Sequence, residues 1–191
     1  MRTGVLAIQG DFAAHARALA RLGDSPVEVR KRSDFEGLDG LILPGGESTT
    51  MLKLLTEEDL IEPIRALARA GRPLFGTCAG AILLANEVSN PEQPSLRLLD
   101  IGIERNAYGR QVDSFIGEAE TALEGGPLEA VFIRAPKIKW VGAEVDVLAG
   151  IEGEPIFVRE NNVLAATFHP ELTGDLRAHG YFLDLVRRSA G

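Results

Sequence analysis

A chain of 191 residues, 45% hydrophobic and 25% charged, has the make-up of one domain of ordinary size, in which a second full domain would be cramped. A chain this long buries roughly 70% of its unfolded surface; its lone cysteine cannot pair internally and no Cys/His cluster has zinc-ligand spacing, so disulfide scaffolds and zinc modules are excluded. Lys and Arg number 20 against 28 Asp and Glu, a net charge of −8, which repels phosphate backbones and anionic lipid heads and argues against nucleic acid or membrane as a partner.

From the N-terminus, Gly4 to Ile8 reads as a buried strand, too brief for a signal-peptide core. Asp11 is placed to cap a helix whose apolar positions Phe12, Ala16, Leu19 and Leu22 keep helical spacing, with Gly23 as its stop. Val27 to Val29 is a second strand, and the short basic run Arg30-Lys31-Arg32 reads as its solvated end. Leu38 to Leu43 is a third, closed by Pro44-Gly45-Gly46. Helices are expected at Thr50 to Leu55 and Glu57 to Ala70. Pro73 to Gly76 is a short strand that runs through Thr77-Cys78-Ala79-Gly80 into an apolar helix at Ala81 to Ala85.

The pattern then changes. Asn86 to Leu96 reads as a polar loop, and strand-like segments follow at Ile101 to Ile103, Gln111 to Phe115, Val131 to Arg134, Glu144 to Leu148 and Pro155 to Val158. Asn161-Asn162 makes a turn before the apolar strand Val163 to Phe168. A helix over Asp175 to Arg188 closes the chain, with Leu176, Leu183 and Val186 inside. Alternating strands and helices predict an α/β fold of three layers: a mostly parallel central sheet, helices on both faces and some antiparallel additions. No stretch approaches the roughly 18 apolar residues of a membrane span, and the cytoplasm is the expected compartment.

Gly76-Thr77-Cys78-Ala79-Gly80 has the form G-x-C-x-G between a strand and a helix, the cysteine version of a nucleophile elbow. Glycine fills 21 of 191 positions, so composition alone puts glycines at both flanks of the one cysteine roughly 1% of the time. Side chains at those two positions would collide with the neighbouring strand and helix, and the helix behind favours a thiolate. Of the three histidines, His15 and His179 read as exposed residues on polar positions of helices, whereas His169 ends the buried strand at the sheet edge where Cys78 sits. Glu171 follows two residues on, a carboxylate to orient the imidazole. Leu43-Pro44-Gly45-Gly46-Glu47-Ser48-Thr49 leaves another strand end as a glycine loop whose N–H groups can hold an oxyanion or a carboxylate. A phosphate cradle is the competing reading, but the G-x-x-x-x-G-K-[ST] pattern is absent.

Taken together, Pro44 to Thr49, Gly76 to Gly80 and His169-Pro170-Glu171-Leu172-Thr173 resemble the class I (triad) glutamine amidotransferases, with a flavodoxin-like sheet. Gly4-Val5-Leu6 through Gln9-Gly10, Glu104-Arg105-Asn106, Gly109 to Phe115 and Phe132 to Pro136 narrow the resemblance to the glutaminase subunits of two-component pyridoxal 5′-phosphate synthases. It runs the whole chain, and so implies one glutaminase domain over 1–191. It implies that Cys78 attacks the side-chain amide of glutamine, that His169 passes the proton to the leaving ammonia and that Glu171 orients His169. It also implies glutamine contacts from Gly46, Glu47, Ser48, Arg105, Ile133 and Arg134. The N–H groups of Ala79 and of Gly45-Gly46 are candidates for the oxyanion hole, and Gln9 for an interface or oxyanion-forming role. The implied partner is a synthase subunit that receives ammonia within a large hetero-oligomer; neither cofactor nor metal is expected. Two alternatives stay open: the glutaminase subunit of another system, such as imidazole glycerol phosphate synthase, or a non-catalytic α/β module with one reactive cysteine.

Overall fold

The computed structural model of the chain describes residues 1–107 and 114–189. The elements in chain order are β1 (Thr3–Leu6), α1 (Phe12–Arg21), β2 (Val27–Val29), β3 (Gly40–Leu43), α2 (Ser48–Glu57), α3 (Ile61–Arg69), β4 (Leu74–Thr77), α4 (Ala79–Leu84), β5 (Ala85–Ser89) and β6 (Leu99–Glu104). They continue with β7 (Ser114–Thr121), β8 (Leu128–Ile133), β9 (Lys137–Val141), β10 (Asp146–Ile151), β11 (Glu154–Glu160), β12 (Val163–Ala166) and α5 (Arg177–Ser189).

The central sheet has the order β2-β1-β3-β4-β12-β11-β10-β7-β8. From β2 to β12 the strands pair in parallel; from β12 to β8 they pair antiparallel. Alternation along each parallel strand sorts the core into two faces, because successive side chains point to opposite sides of a sheet. Val5, Ile42, Phe75, Leu164 and Ala166 pack with Leu19 of α1 and with Phe182, Leu183 and Val186 of α5. Leu6, Leu41, Leu43, Leu74 and Ala165 pack on the other face with Met51, Leu55 and Ile64 of α2 and α3 and with α4. A second sheet, β5-β6-β9, adds Val88, Ile101, Ile103 and Ile138 to that same core. The result is the expected three-layer α/β arrangement, with an antiparallel part as extensive as the parallel one.

Several expectations need correction. Glu57 to Ala70 is not one helix: α2 ends at Glu57, Asp59 has φ +54, and α3 starts at Ile61. Pro63 explains this, since proline is tolerated in the first turn of a helix and not in its interior. Ala85–Ser89 is a strand where a helix end at Ala85 and a loop from Asn86 are expected, because Ala85 and Val88 are buried and the segment pairs with β6. Asp11 does stand at the start of α1, but its side chain makes no capping hydrogen bond. Of the expected strand Gln111 to Phe115, Gln111, Val112 and Asp113 lie outside the described residues, as does most of the Gly109 to Phe115 phrase; Ser114 opens β7.

Candidate active site

Four parallel strands deliver their C-terminal ends to one edge of the sheet, where open α/β sheets bind ligands. The turn after β1 carries Gln9, the turn after β3 carries Pro44 to Glu47, β4 runs into Cys78, and β12 is followed by His169 and Glu171. Cys78 has φ +47 and ψ −103, a strained conformation for a residue with a Cβ. Its N–H donates to the Ala166 carbonyl at 2.8 Å, which ties the elbow to β12. The flanking glycines are needed for the reason expected. A Cβ at Gly76 would come within 2.6 Å of the Gly80 backbone, and one at Gly80 would overlap the Leu43 carbonyl.

His169 Nδ1 lies 2.7 Å from Glu171 Oε1, and both residues are buried. An ionised carboxylate only accepts, so Nδ1 carries the hydrogen and Nε2 is left for Cys78. The His169 N–H donates to the Val131 carbonyl at 2.8 Å, which fixes the segment against β8. Burial works against a charge on His169, but hydrogen bonds and Coulomb attraction from Cys78 and Glu171 outweigh it and raise its pKa to about 10. At neutral pH the imidazole is therefore held as the cation beside the sulfur.

The glycine loop closes over this pair. A Cβ on Gly45 would lie 2.6 Å from His169 Cε1 and 3.4 Å from Cys78 Cβ, so backbone alone fits there. Gln9 holds the loop from the other side: its Oε1 accepts from the Glu47 N–H at 3.0 Å, and the Gly45 carbonyl accepts from the Asp11 N–H at 3.3 Å. The Glu47 carboxylate caps α2, accepting from the N–H groups of Thr49 and Thr50. Partial burial opposes its charge, but these bonds and the two threonine hydroxyls outweigh that, and its pKa falls to about 2. Arg105, in the turn after β6, reaches across to Thr49 Oγ1 at 2.9 Å and Glu47 Oε1 at 3.4 Å. The Ser48 hydroxyl donates to Gln93 Oε1 at 2.9 Å.

The fold thus brings Cys78, His169, Glu171, Gly45 and Gly46 to one point, with Ala79 opening α4 directly behind the nucleophile. Glu47, Ser48 and Arg105 form the wall of the loop. Ile133 and Arg134 stand at the exposed end of β8, two and three residues beyond the Val131 carbonyl that holds His169. Arg134 has φ +42. His15 and His179 overturn their expectation as surface residues: both are 0% exposed. His15 Nε2 lies 3.3 Å from Glu171 Oε2 and its Nδ1 lies 2.9 Å from His179 Nε2. The signal was in the spacing. His15 shares a helical row with Ala18, Leu19 and Leu22, and His179 shares one with Phe182, Leu183 and Val186.

The model of the SNO glutamine amidotransferase family matches residues 5–188. The chain belongs to that family. Among similar proteins is the pyridoxal 5′-phosphate synthase subunit PdxT of Koribacter versatilis, 54% identical over 187 residues that make up 98% of this chain and 96% of that one. The PdxT of Thermotoga petrophila is 50% identical over 98% of this chain and its own full length. A crystal structure of a glutamine amidotransferase matches with a TM-score of 0.91 at 51% identity, covering 97% of this chain and 98% of that one. This SNO-family chain therefore has the fold expected from its residues, and the cysteine elbow sits in a family defined by amide-nitrogen transfer.

Proposed function

We propose that the chain is the glutaminase subunit of a pyridoxal 5′-phosphate synthase, with Cys78, His169 and Glu171 as its triad and one glutaminase domain over 1–191. The observation that carries this is the Cys78 elbow facing a histidine that Glu171 holds at 2.7 Å and keeps charged. Family membership supports the enzyme class, and the relatives named PdxT support the synthase.

The Cys78 sulfur attacks the side-chain carbonyl carbon of glutamine, and the carbonyl electrons move onto oxygen. The N–H groups of Ala79 and of the Gly45-Gly46 loop are the candidates to hold that oxyanion. On collapse the C–N bond breaks as His169 Nε2 gives its proton to the leaving nitrogen, and ammonia departs from a γ-glutamyl thioester. Water then attacks the thioester, His169 takes its proton, and glutamate leaves with Cys78 restored. The net reaction is glutamine plus water to glutamate plus ammonia. Glu47, Ser48, Arg105, Ile133 and Arg134 are assigned to the glutamine, and Gln9 to the loop and the partner surface that meets it.

Ammonia is the output passed to a synthase subunit. That partner, a large hetero-oligomer and a cytoplasmic location are parts of the proposal; among the described residues, no helix is long and apolar enough to cross a membrane. The test is separation of supply from synthesis. A complex carrying Cys78→Ala should make no pyridoxal 5′-phosphate from glutamine but should make it from an ammonium salt at a pH that leaves free NH₃. Glutamine-driven synthesis by that variant, or failure of ammonium where wild type works with glutamine, would overturn the division of labour.

A further inference from the structure

The triad accounts for one oxygen of Glu171 and leaves the other unexplained. Oε2 is buried and has no hydrogen-bond partner among the described residues, yet His15 Nε2 from α1 lies 3.3 Å away. That nitrogen is also 3.0 Å from Thr77 Oγ1, in the residue before the nucleophile. A bare nitrogen lone pair facing a carboxylate oxygen is repulsive, so Nε2 carries the hydrogen. It is directed at the Thr77 hydroxyl and lies alongside Oε2, one positive edge serving both. Nδ1 of His15 must then accept, and it faces His179 Nε2 at 2.9 Å, which therefore donates. His179 Nδ1 is left bare and buried, without a partner among the described residues.

Simple packing does not account for this arrangement. An apolar side chain would fill the same space, whereas two desolvated imidazoles with one unpaired nitrogen cost stability. Both rings stay neutral. Burial, then the neighbouring histidines, pushes His15 well below its usual range, and burial lowers His179 to about 4.

We propose that His15 is a positioning residue of the glutaminase: the positive edge of its Nε2–H, aimed at the Thr77 hydroxyl, steadies the outer oxygen of Glu171 by Coulomb attraction from 3.3 Å, and His179 selects the His15 tautomer that makes this possible. The inference rests on Cys78, His169 and Glu171 being the working triad. With Oε2 held, Oε1 stays aimed at His169 Nδ1 while the imidazole alternates between donor and acceptor. The titratable groups around Glu171 are His169 on its own turn, Cys78 ahead and His15 with His179 behind; Arg17 of α1 and Glu129 of β8 are exposed.

The chain has three histidines, so ring ¹⁵N spectra of the full chain can be assigned from single variants. At pH 7 the expected result is the neutral Nε2–H tautomer for His15 and His179 and a doubly protonated His169. With the synthase present, His15→Leu should lower kcat about tenfold to a hundredfold, with KM for glutamine within about twofold. It should also bring the His169 titration down by about one pH unit. His15→Gln, whose amide can donate from a similar place, should recover most of both, and His179→Phe should cost about threefold and mix the His15 tautomers. An Nδ1–H tautomer at His15 in the wild type overturns the proposal even if His15→Leu does not fold. So does a folded His15→Leu with unchanged kcat and His169 titration. Absence of glutamate from wild type with synthase would instead strike the glutaminase reading, and the spectra would still decide the tautomers.

Discussion

The parallel and antiparallel halves of the central sheet differ in how much freedom they leave their side chains. In the parallel half, β1, β3, β4 and β12 are buried at every position, and their C-terminal turns meet with clearances that only glycine satisfies at Gly45, Gly76 and Gly80. In the antiparallel half, β7 alternates half-buried with exposed residues and β8 buried with more open ones, and Ile116 on the outer face of β7 is 70% exposed. That half supplies the Val131 carbonyl that holds His169 and carries Ile133 and Arg134, the residues proposed to meet glutamine, at the exposed end of β8; beneath its outer face Phe115 stacks on Phe132 with ring centroids 4.5 Å apart, and Phe132 packs against Phe168. Chemistry that needs sub-ångström placement sits where backbone meets backbone. A half-exposed hairpin can change its outer face without moving the nucleophile.

The largest effect that would break this contrast is at the elbow. Cys78→Ala should remove glutaminase activity entirely while far-UV dichroism and melting stay near wild type; residual glutamate from the purified variant would show that the elbow is not the reaction centre. Next is Glu171→Gln, which keeps the shape but removes the charge that supports the imidazolium. Steady-state kinetics with the synthase should show kcat down by about 10³-fold or more, with a much smaller change in KM, and near-normal turnover would make Glu171 merely structural. Gly45→Ala places a methyl against His169, so kcat should drop about tenfold to a hundredfold with a loss of stability on urea titration. An unchanged kcat would mean that the loop stands off the pair.

Buried histidines make the parallel half pH-sensitive in two directions. His179 has its pKa lowered from 6.5 to about 4, so its contribution to stability is present above 6.5 and lost as pH falls through 4. His169, raised from 6.5 to about 10, contributes below 6.5 and loses that contribution as pH rises through 10. The stability of wild type relative to His179→Phe, from urea titrations, should therefore fall by about 2 to 3 kcal/mol between pH 6.5 and 4; a difference that does not change with pH would place His179 in contact with water. The smallest effect is on the other half. Ile116→Ser should change stability by less than about 0.5 kcal/mol and leave kcat alone, and a large loss would mean that the hairpin is not free at its outer face.

The legible parts of the site follow from local chemistry. A cysteine between two glycines after an apolar strand, and a histidine that ends another such strand, reach the same sheet edge in any parallel α/β sheet, so Cys78, His169 and Glu171 could be read before the structure. The register that sets Leu43 against Gly80 is tertiary, yet the need for glycine at Gly80 was visible. For His15 and His179 polarity and spacing point in opposite directions, and spacing decides: both sit on apolar rows of their helices and are buried. The strand Lys137–Val141 is marked only by a short alternation of charged and apolar residues, and Ala85–Ser89 is hidden because Asn86 and Glu87 face solvent. A strand that pairs with a distant segment carries little of that partner in its own sequence.

In the proposed reaction glutamine is opened by covalent transfer to Cys78 at the junction of β4 and α4. The most direct measurement is peptide mass spectrometry of the chain quenched in acid while it turns over glutamine in the presence of the synthase. A γ-glutamyl group, labile to hydroxylamine, is expected on the peptide that contains Cys78, built up before steady state and absent from Cys78→Ala. Glutamate released at the wild-type rate with no acyl group on Cys78 during turnover, and equally well from Cys78→Ala, would contradict it.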